Sequence, residues 1–147
     1  MTTKTKKTTE SARKTAGARA RIDIQRAYDD PAGGYRVLVD RVWPRGRTKE
    51  SLQLDDWLRD LAPGAPLRKA FGHDPARWQA FRSAYLKELA AGDQQARMLS
   101  LLESAGGERI VLVYGARDTE HNQAVVLREA LLALAPRPAA GRVARAG

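Results

Sequence analysis

The sequence predicts an α/β fold built on a small, mainly parallel sheet packed with helices. Residues 35–39 and 110–114 form two short apolar runs, which are typical of strands buried on both faces. The long stretch between the two runs is rich in helical patterns, and parallel neighbouring strands need such a crossover. A further helical pattern follows the second run. The predicted order of elements is therefore β-β-α-α-α-β-α.

The N-terminal part of the predicted domain holds two strands. Residues 22–28 alternate apolar and polar side chains, which indicates a half-buried strand. Residues 29–34 carry Asp, Pro and Gly, the composition of a turn. The next strand, residues 35–39, contains Val37, Leu38 and Val39 and is predicted to be central. The two strands either form a hairpin, or the first lies at an edge of the sheet.

Four helices are predicted from apolar spacing and from residues typical of helix ends. The first ends at Pro63, the second begins at the cap Asp74 and ends at Gly92, the third is capped by Asp93, and the last by Thr119. The residues predicted to face the core are Leu54, Trp57, Leu58 and Leu61; Trp78, Phe81, Tyr85, Leu86 and Leu89; Met98, Leu99, Leu101 and Leu102; and Ala124, Val125, Leu127, Leu131 and Leu134.

The net charge of +9 is concentrated at the two ends of the chain. Residues 1–21 hold seven basic side chains and one acid, residues 136–147 hold three basic side chains, and the segment between them balances 16 basic with 16 acidic side chains. Residues 1–20 and 136–147 lack the large apolar side chains that offset ordering entropy. We expect two disordered basic tails around a single domain at residues 21–135.

Several classes of protein are excluded by composition and motifs. The chain has no cysteine, which excludes disulfides, thiolate nucleophiles and zinc–thiolate sites. No apolar run approaches the ~18–20 residues of a membrane helix, and no secretory signal follows the basic N-terminus. We therefore expect a cytoplasmic protein without a membrane partner. Walker, dinucleotide and serine-nucleophile motifs are also missing, so the sequence names no cofactor.

Polar motifs follow both apolar strands at their carboxyl ends, over residues 40–46 and 114–122. Ligands of open parallel sheets bind beyond these strand ends, so neighbouring strands would bring the two motifs to one site. Arg41, Arg45 and Arg117 are the candidate anion ligands, because guanidinium groups bind phosphate or carboxylate in a bidentate manner. Trp43 offers a stacking plane. A structural interpretation of these residues has equal weight. In it, Arg41 pairs with a core carboxylate and Trp43 fills the interior.

The same motifs contain the candidate catalytic residues Asp40, Tyr114, Asp118 and His121. Asp118 either orients His121 or accepts a proton, or it only caps the following helix, which is the interpretation that the sequence favours. Tyr114 either donates to a substrate oxygen or packs with its hydroxyl at the rim. His73 is expected in a helix cap. Two scattered histidines form no ligand-spacing motif, and no metal site is predicted.

Four segments in a fixed order resemble DUF488, a bacterial family of unknown function, in its short YeaO-like branch. They are Val39-Asp40-Arg41-Val42-Trp43-Pro44-Arg45-Gly46, Leu67-Arg68-Lys69-Ala70-Phe71 with His73-Asp74-Pro75, the Trp78, Phe81, Tyr85, Glu88, Leu89 pattern, and Leu112-Val113-Tyr114 with Ala116-Arg117-Asp118. The resemblance spans residues 22–134, leaves the tails outside, and implies an α/β fold and little chemistry. Some members carry labels linked to uroporphyrinogen methylation, but this chain has no glycine-rich methyl-donor loop. Many members have a histidine where this chain has Gln123.

Three functional hypotheses follow from the sequence. The first is a domain that binds, and in one version transforms, a small anionic or phosphorylated ligand at the two strand ends. The second is a nucleic-acid-associated protein whose basic tails contact phosphates without sequence preference. The third is a non-catalytic interaction module, such as a homodimer, anchored by an exposed loop that contains Trp43. The sequence leaves the oligomeric state, the substrate and the presence of enzymatic activity open.

Overall fold

The computed structural model describes residues 21–135, and the two predicted tails lie outside the described residues. Four parallel strands form one sheet in the order β1-β4-β2-β3. The strands are β1 (Ile22–Arg26), β2 (Tyr35–Leu38), β3 (Asp56–Trp57) and β4 (Ile110–Tyr114). Both β1 and β2 pair with β4, so β1 lies at an edge and the alternative of a β1–β2 hairpin is wrong.

Within residues 21–135, five α-helices complete the α/β fold and confirm the predicted class. They are α1 (Lys49–Leu52), α2 (Ala65–Phe71), α3 (Trp78–Leu89), α4 (Gly92–Ala105) and α5 (Gln123–Leu134), with 3-10 turns at Arg59–Leu61 and Pro75–Arg77. The crossover from β2 to β4 contains four of these helices and the short edge strand β3. Within residues 21–135, no helix has the length and apolar character needed to span a bilayer.

The predicted helix over residues 54–61 is wrong. This segment instead forms β3, which pairs with Val37 and Leu38 of β2, and then a 3-10 turn. The backbone N–H of Leu58 donates to the carbonyl of Leu38 at 2.8 Å, which fixes the segment as an extension of the sheet. Pairing with an already formed strand outweighs the helical spacing of four apolar side chains.

Two predicted helix caps also differ from the structure. The cap of α5 is Asn122 and not Thr119, because the Asn122 side chain accepts hydrogen bonds from the backbone N–H groups of Ala124 and Val125. Helix α4 begins after Ala91 without a side-chain cap, and Asp93 lies in its first turn. The Asp74 cap is confirmed, since its Oδ1 accepts from the N–H of Ala76 at 3.0 Å.

The sheet divides the interior into two apolar clusters. Val37, Ile110 and Leu112 face the larger cluster with α3, α4 and α5, whereas Val111 and Val113 face a smaller cluster with α1. Burial on both faces confirms that β2 and β4 are central strands. The predicted helix stripes contain two errors: Leu99 is 47% exposed, and Val126 is buried where Val125 is only partly buried.

Candidate functional site

The carboxyl ends of β2 and β4 are joined by a hydrogen bond from the Gly115 backbone to the Asp40 side chain. Asp40 follows β2, Gly115 follows β4, and Asp40 Oδ2 accepts from the Gly115 N–H at 2.8 Å. A Cβ atom on Gly115 would lie 2.9 Å from this oxygen, which is closer than real Cβ contacts permit. Position 115 therefore needs glycine, because the carboxylate occupies the space of a side chain.

The Asp40 carboxyl group is partly buried and accepts hydrogen bonds from neutral donors, with positive charges nearby. Its Oδ1 accepts from the side-chain amide of Gln123, the first residue of α5. Burial raises the pKa of Asp40 to about 6, while the hydrogen bonds from Gly115 and Gln123 and the charges of His73 and Arg68 act in the opposite direction. Asp40 therefore titrates close to neutral pH, a property that is concentrated at functional sites.

A cavity of about 310 Å³ lies against this carboxyl group, and we call it the head cavity. Its wall carries three side chains that bear or can bear positive charge, Arg41, Arg68 and His73. Arg41 follows β2 directly, Arg68 belongs to α2, and His73 lies in the loop after α2. The head cavity is completed by Tyr28, Asp40, Val42, Trp43, Pro44, Ala62, Pro63, Gly115, Ala116 and Gln123.

A second cavity of about 640 Å³ adjoins the head cavity, and we call it the apolar cavity. The two cavities lie side by side at the carboxyl edge of the sheet, and we call them together the groove. Four residues line both of them: Pro63, Arg68, His73 and Gln123. The remaining wall of the apolar cavity consists of Ala65, Pro66, Lys69, Phe71, Phe81 and Asn122. The groove therefore has a charged end near Asp40 and a mainly apolar end between α2 and α3.

The cationic groups of the head cavity are not engaged by carboxylates within the described residues. The ion pairs of residues 21–135 involve neither Arg41, Arg68 nor His73. Arg41 donates from Nη2 to the carbonyl of Ala62 at 3.3 Å, and its buried Nε has no hydrogen-bond partner there. Arg41 therefore does not pair with a core carboxylate, as the structural alternative required.

His73 has an unfavourable backbone conformation. Its φ angle is 57°, in the left-handed region, directly after Gly72 with φ 50°. A residue with a Cβ atom loses roughly 1–2 kcal/mol in this region compared with the right-handed one. Strain of this kind is concentrated at ligand sites, where the surrounding structure holds a side chain in place. The strained loop directs the chain from α2 along the head cavity.

Three of the eight predicted site residues meet at this groove. Asp40, Arg41 and Trp43 line the head cavity. Trp43 also packs edge-on against Trp57, with ring centroids 5.3 Å apart, and its indole N–H donates to the carbonyl of Arg47 at 2.7 Å. Trp43 is thus partly a structural residue that presents one part of its surface to the cavity.

The other predicted arginines lie outside the groove. Arg45 and Arg117 are exposed and line neither of its two cavities. The backbone carbonyl of Arg45 accepts a hydrogen bond from the hydroxyl of Tyr28 at 2.9 Å, which ties the loop after β2 to the loop after β1. The expected convergence of all three arginines on one ligand is therefore not present in this geometry.

Asp118 and His121 form a separate pair beside α3. Asp118 Oδ2 lies 2.9 Å from His121 Nδ1, while Oδ1 accepts from the backbone N–H groups of Glu120 and His121. These contacts, chiefly the hydrogen bond from Glu120, hold the pKa of Asp118 below its usual range. The carboxylate thus both closes the turn and orients the imidazole, whose ring packs against Trp78 with centroids 5.2 Å apart.

Tyr114 lies in the larger core cluster and not at the rim. Its side chain is only 2% exposed, and burial raises the pKa of its hydroxyl. Neither Tyr114, Asp118 nor His121 lines the groove. Among residues 21–135, no three His, Asp or Glu side chains are grouped in a way that could hold a metal ion.

The sequence did not single out Arg68 and Gln123 as site residues, and it placed His73 only in a helix cap. Arg68 and His73 lie within one of the motifs that carry the family resemblance, and Gln123 follows the second strand-end motif. The available signal in the sequence was the basic residue Arg68 shortly before Gly72 and His73. This signal indicates a site only if α2 lies along the carboxyl edge of the sheet, which only the tertiary structure shows.

Comparison with known proteins places the chain in a family. A family model described as "Inactive DUF488-N3 subclade" matches residues 21–143. The chain belongs to the DUF488 family. The resemblance carried by the four sequence motifs is thereby confirmed. The match reaches residue 143, so the expectation that the whole C-terminal tail lies outside the resemblance is wrong.

Relatives of this DUF488 chain cover most of its length. It is 40% identical over 115 residues to "Uncharacterized protein YeaO" of Escherichia coli K12, an alignment that covers 77% of this chain and 98% of that protein. It is 34% identical over 113 residues to "Uncharacterized protein Rv3073c" of Mycobacterium tuberculosis H37Rv, covering 76% of this chain and 93% of that protein. No solved structure matches the chain significantly.

Proposed function

We propose that this DUF488 chain binds a small anionic ligand in the groove at the carboxyl edge of its sheet. The observation that carries the proposal is the presence of two guanidinium groups and an imidazole, those of Arg41, Arg68 and His73, around one cavity of about 310 Å³. The cavity lies beyond the carboxyl ends of two neighbouring parallel strands, which is where open α/β sheets bind their ligands.

The charge arrangement favours an anion over a cation or a neutral ligand. Asp40 is the acidic residue of the head cavity, and its two oxygens are already engaged by Gly115 and Gln123. Arg41 and Arg68 keep guanidinium donors that no carboxylate of the described residues occupies. Guanidinium groups bind carboxylate and phosphate oxygens in a bidentate manner, which gives both affinity and orientation.

Asp40 is proposed to set the shape and the charge of the head cavity. Its carboxyl group holds the Gly115 loop and the start of α5 in place, and its raised pKa of about 6 keeps most of the carboxyl groups neutral at pH values below about 6. A neutral carboxyl group removes a repulsive charge from the path of an anion. We assign Asp40 to ligand binding and positioning on these grounds.

Binding without chemical transformation fits the groove best. Neither of its two cavities is lined by serine, threonine or cysteine, so the hydroxyl and thiol nucleophiles of these residue types are not in position there. The family model that matches the chain is described as an inactive subclade, which supports the same choice. Asp118 and His121 pair outside the groove and take no part in the proposed binding.

Calorimetric titration with sulfate, inorganic phosphate and acetate tests the proposal. We expect at least one of these anions to bind with one-to-one stoichiometry, and Arg68→Ala to weaken that binding by about tenfold or more, since a charge-assisted contact contributes roughly 1.5–3 kcal/mol. Arg97→Ala is the matched control, because Arg97 is exposed on α4 and lines neither cavity of the groove. Equal losses in both variants, or no binding of any anion, would contradict the proposal.

A further inference from the structure

We infer that the ligand carries an aromatic body attached to its anionic head, and that the body occupies the apolar cavity. This inference rests on the proposed function and extends it from the head group to the class of ligand. The two cavities share Arg68 and His73, so an anion held by these side chains lies at the junction of the two spaces. Its remaining atoms have room in the apolar cavity of about 640 Å³.

The wall of the apolar cavity favours an aromatic group. Phe71 and Phe81 line it and stack on each other with ring centroids 4.5 Å apart and an interplanar angle of 21°. His73 continues this aromatic row, with its ring 6.0 Å from that of Phe71. A planar ring adds favourable stacked or edge-on contacts to such a row, beyond the gain from burying apolar area.

A further part of the wall is apolar. Pro63, Ala65 and Pro66 line it, before and at the start of α2. Proline rings have a fixed backbone angle and present little hydrogen-bonding capacity, since they lack an N–H donor. Against these residues and the two phenylalanines a polar body such as a sugar would lose hydration, and only the polar side chains of the wall, including Lys69 and Asn122, could replace its hydrogen bonds. The apolar part of the wall therefore favours an aromatic body over a polar one.

Charge complementarity fixes the orientation of the ligand. Three of the four basic side chains of the groove, Arg41, Arg68 and His73, line the head cavity, whereas Lys69 lines only the apolar cavity. The anionic head is placed toward Asp40 and Arg41 and the ring toward Phe71. A small aryl phosphate or aryl carboxylate has both parts, and phenyl phosphate is the simplest probe with the first of these head groups.

Titration of the full chain with three phosphates tests this inference: inorganic phosphate, phenyl phosphate and ribose 5-phosphate. We expect phenyl phosphate to bind about tenfold tighter than the other two, because its ring is removed from water in the apolar cavity. Ala65→Gln should abolish that preference and leave the affinity for inorganic phosphate within twofold. Ala80→Gln, at an exposed position of α3 outside the groove, should leave all three affinities unchanged.

The outcomes separate the inference from the proposed function. Equal affinity for inorganic phosphate and phenyl phosphate, with both weakened by Arg68→Ala, would overturn the aromatic body and leave anion binding intact. A preference for ribose 5-phosphate would do the same. Failure of all three phosphates to bind would overturn both proposals together. Retention of the phenyl phosphate preference in Ala65→Gln would show that the ring lies outside the apolar cavity, which also overturns the inference.

Discussion

The carboxyl group of Asp40 occupies the space in which any side chain at Gly115 would lie, with its Oδ2 accepting from the Gly115 N–H at 2.8 Å. This contact closes the gap between the ends of β2 and β4 and leaves Asp40 partly buried, with the side chains of Arg68 and His73 nearby. Asp40 thus both stabilises the strand ends and lines the cavity in which a ligand could bind.

Gly115→Ala should lower the free energy of unfolding by about 1–3 kcal/mol, the usual cost of forcing atoms into filled space. The new Cβ would lie 2.9 Å from Asp40 Oδ2, and both partners belong to the sheet edge. Urea denaturation measures the change. In an Asp40→Ala background the same substitution should cost clearly less, since the colliding oxygen is gone. Gly33→Ala is the control, because no atom lies within 4 Å of a Cβ built there.

Asp40→Asn should stabilise the protein at neutral pH and not at acidic pH. The pKa of Asp40 is about 6 in the folded state against 3.8 for the free group, so the folded state binds more protons than the unfolded state between these values. Stability contributed by Asp40 is then lost as pH rises from about 4 to about 6. The gain of Asp40→Asn should grow over this interval to about 1–3 kcal/mol at pH 7.

Urea denaturation of both proteins between pH 4 and pH 8 measures this gain. The substituted amide can still accept from Gly115, and Gln123 can turn its own amide to accept from the new donor. Asp60→Asn, at an exposed position, is the matched control, and its effect on stability should not increase with pH by a comparable amount. A constant difference between Asp40→Asn and the native chain across the range would show that the carboxyl group does not titrate there.

Sulfate affinity should fall as pH rises through about 6, because Asp40 becomes charged beside the head cavity. Sulfate keeps its own charge over this range, which removes the titration of the probe. We expect a decrease of about tenfold between pH 5 and pH 7, equivalent to roughly 1.4 kcal/mol of added repulsion. Asp40→Asn should flatten the profile. The His73→Asn variant measures how much of the pH dependence of sulfate affinity comes from the imidazole. A pH dependence that disappears only in this variant would contradict the role given to Asp40.

His73→Gly should stabilise the chain and weaken anion binding at once. The left-handed backbone at φ 57° is relaxed by glycine, which we expect to contribute about 1 kcal/mol, while the imidazole is lost from the head cavity. Gln53 has the same strain, with φ 49°, at the end of α1 and outside the groove. Gln53→Gly should therefore raise stability similarly and leave sulfate affinity unchanged. A loss of stability in His73→Gly would mean that packing of the imidazole outweighs the strain.

The sequence predicted the central part of the fold because β2 and β4 have an apolar side chain at nearly every position, which only burial on both faces explains. It could not predict β3, since a strand of two residues is determined by its pairing with Val37 and Leu38 and not by its own composition. Only part of the site could be predicted, because the same limit applies to its residues. Asp40 and Arg41 follow a recognisable strand, whereas Arg68 and His73 reach the head cavity only through the packing of α2.

The two basic tails join the described domain at the amino-terminal edge of the sheet, opposite the groove. Arg21 precedes β1, and its carbonyl accepts from the N–H of Ile110 at the start of β4. Helix α5 begins beside Asp40 and runs back toward the start of β1, where Arg128 donates to the carbonyl of Ile22. Ala135 follows α5 at that edge.

The hypothesis that the basic tails bind nucleic acid predicts that removal of residues 1–20 and 136–147 abolishes binding to single-stranded and duplex nucleic acid and leaves sulfate binding unchanged. Residues 1–21 and 136–147 carry the whole net charge of +9, and the segment between them balances 16 basic with 16 acidic side chains. Binding by the full chain should show no sequence preference and should weaken steeply with salt, because it releases counterions from phosphates. Fluorescence anisotropy at several salt concentrations measures both properties. Nucleic-acid binding that survives in residues 21–135 would place the contact on the domain, and a full chain that does not bind would leave the tails without this role.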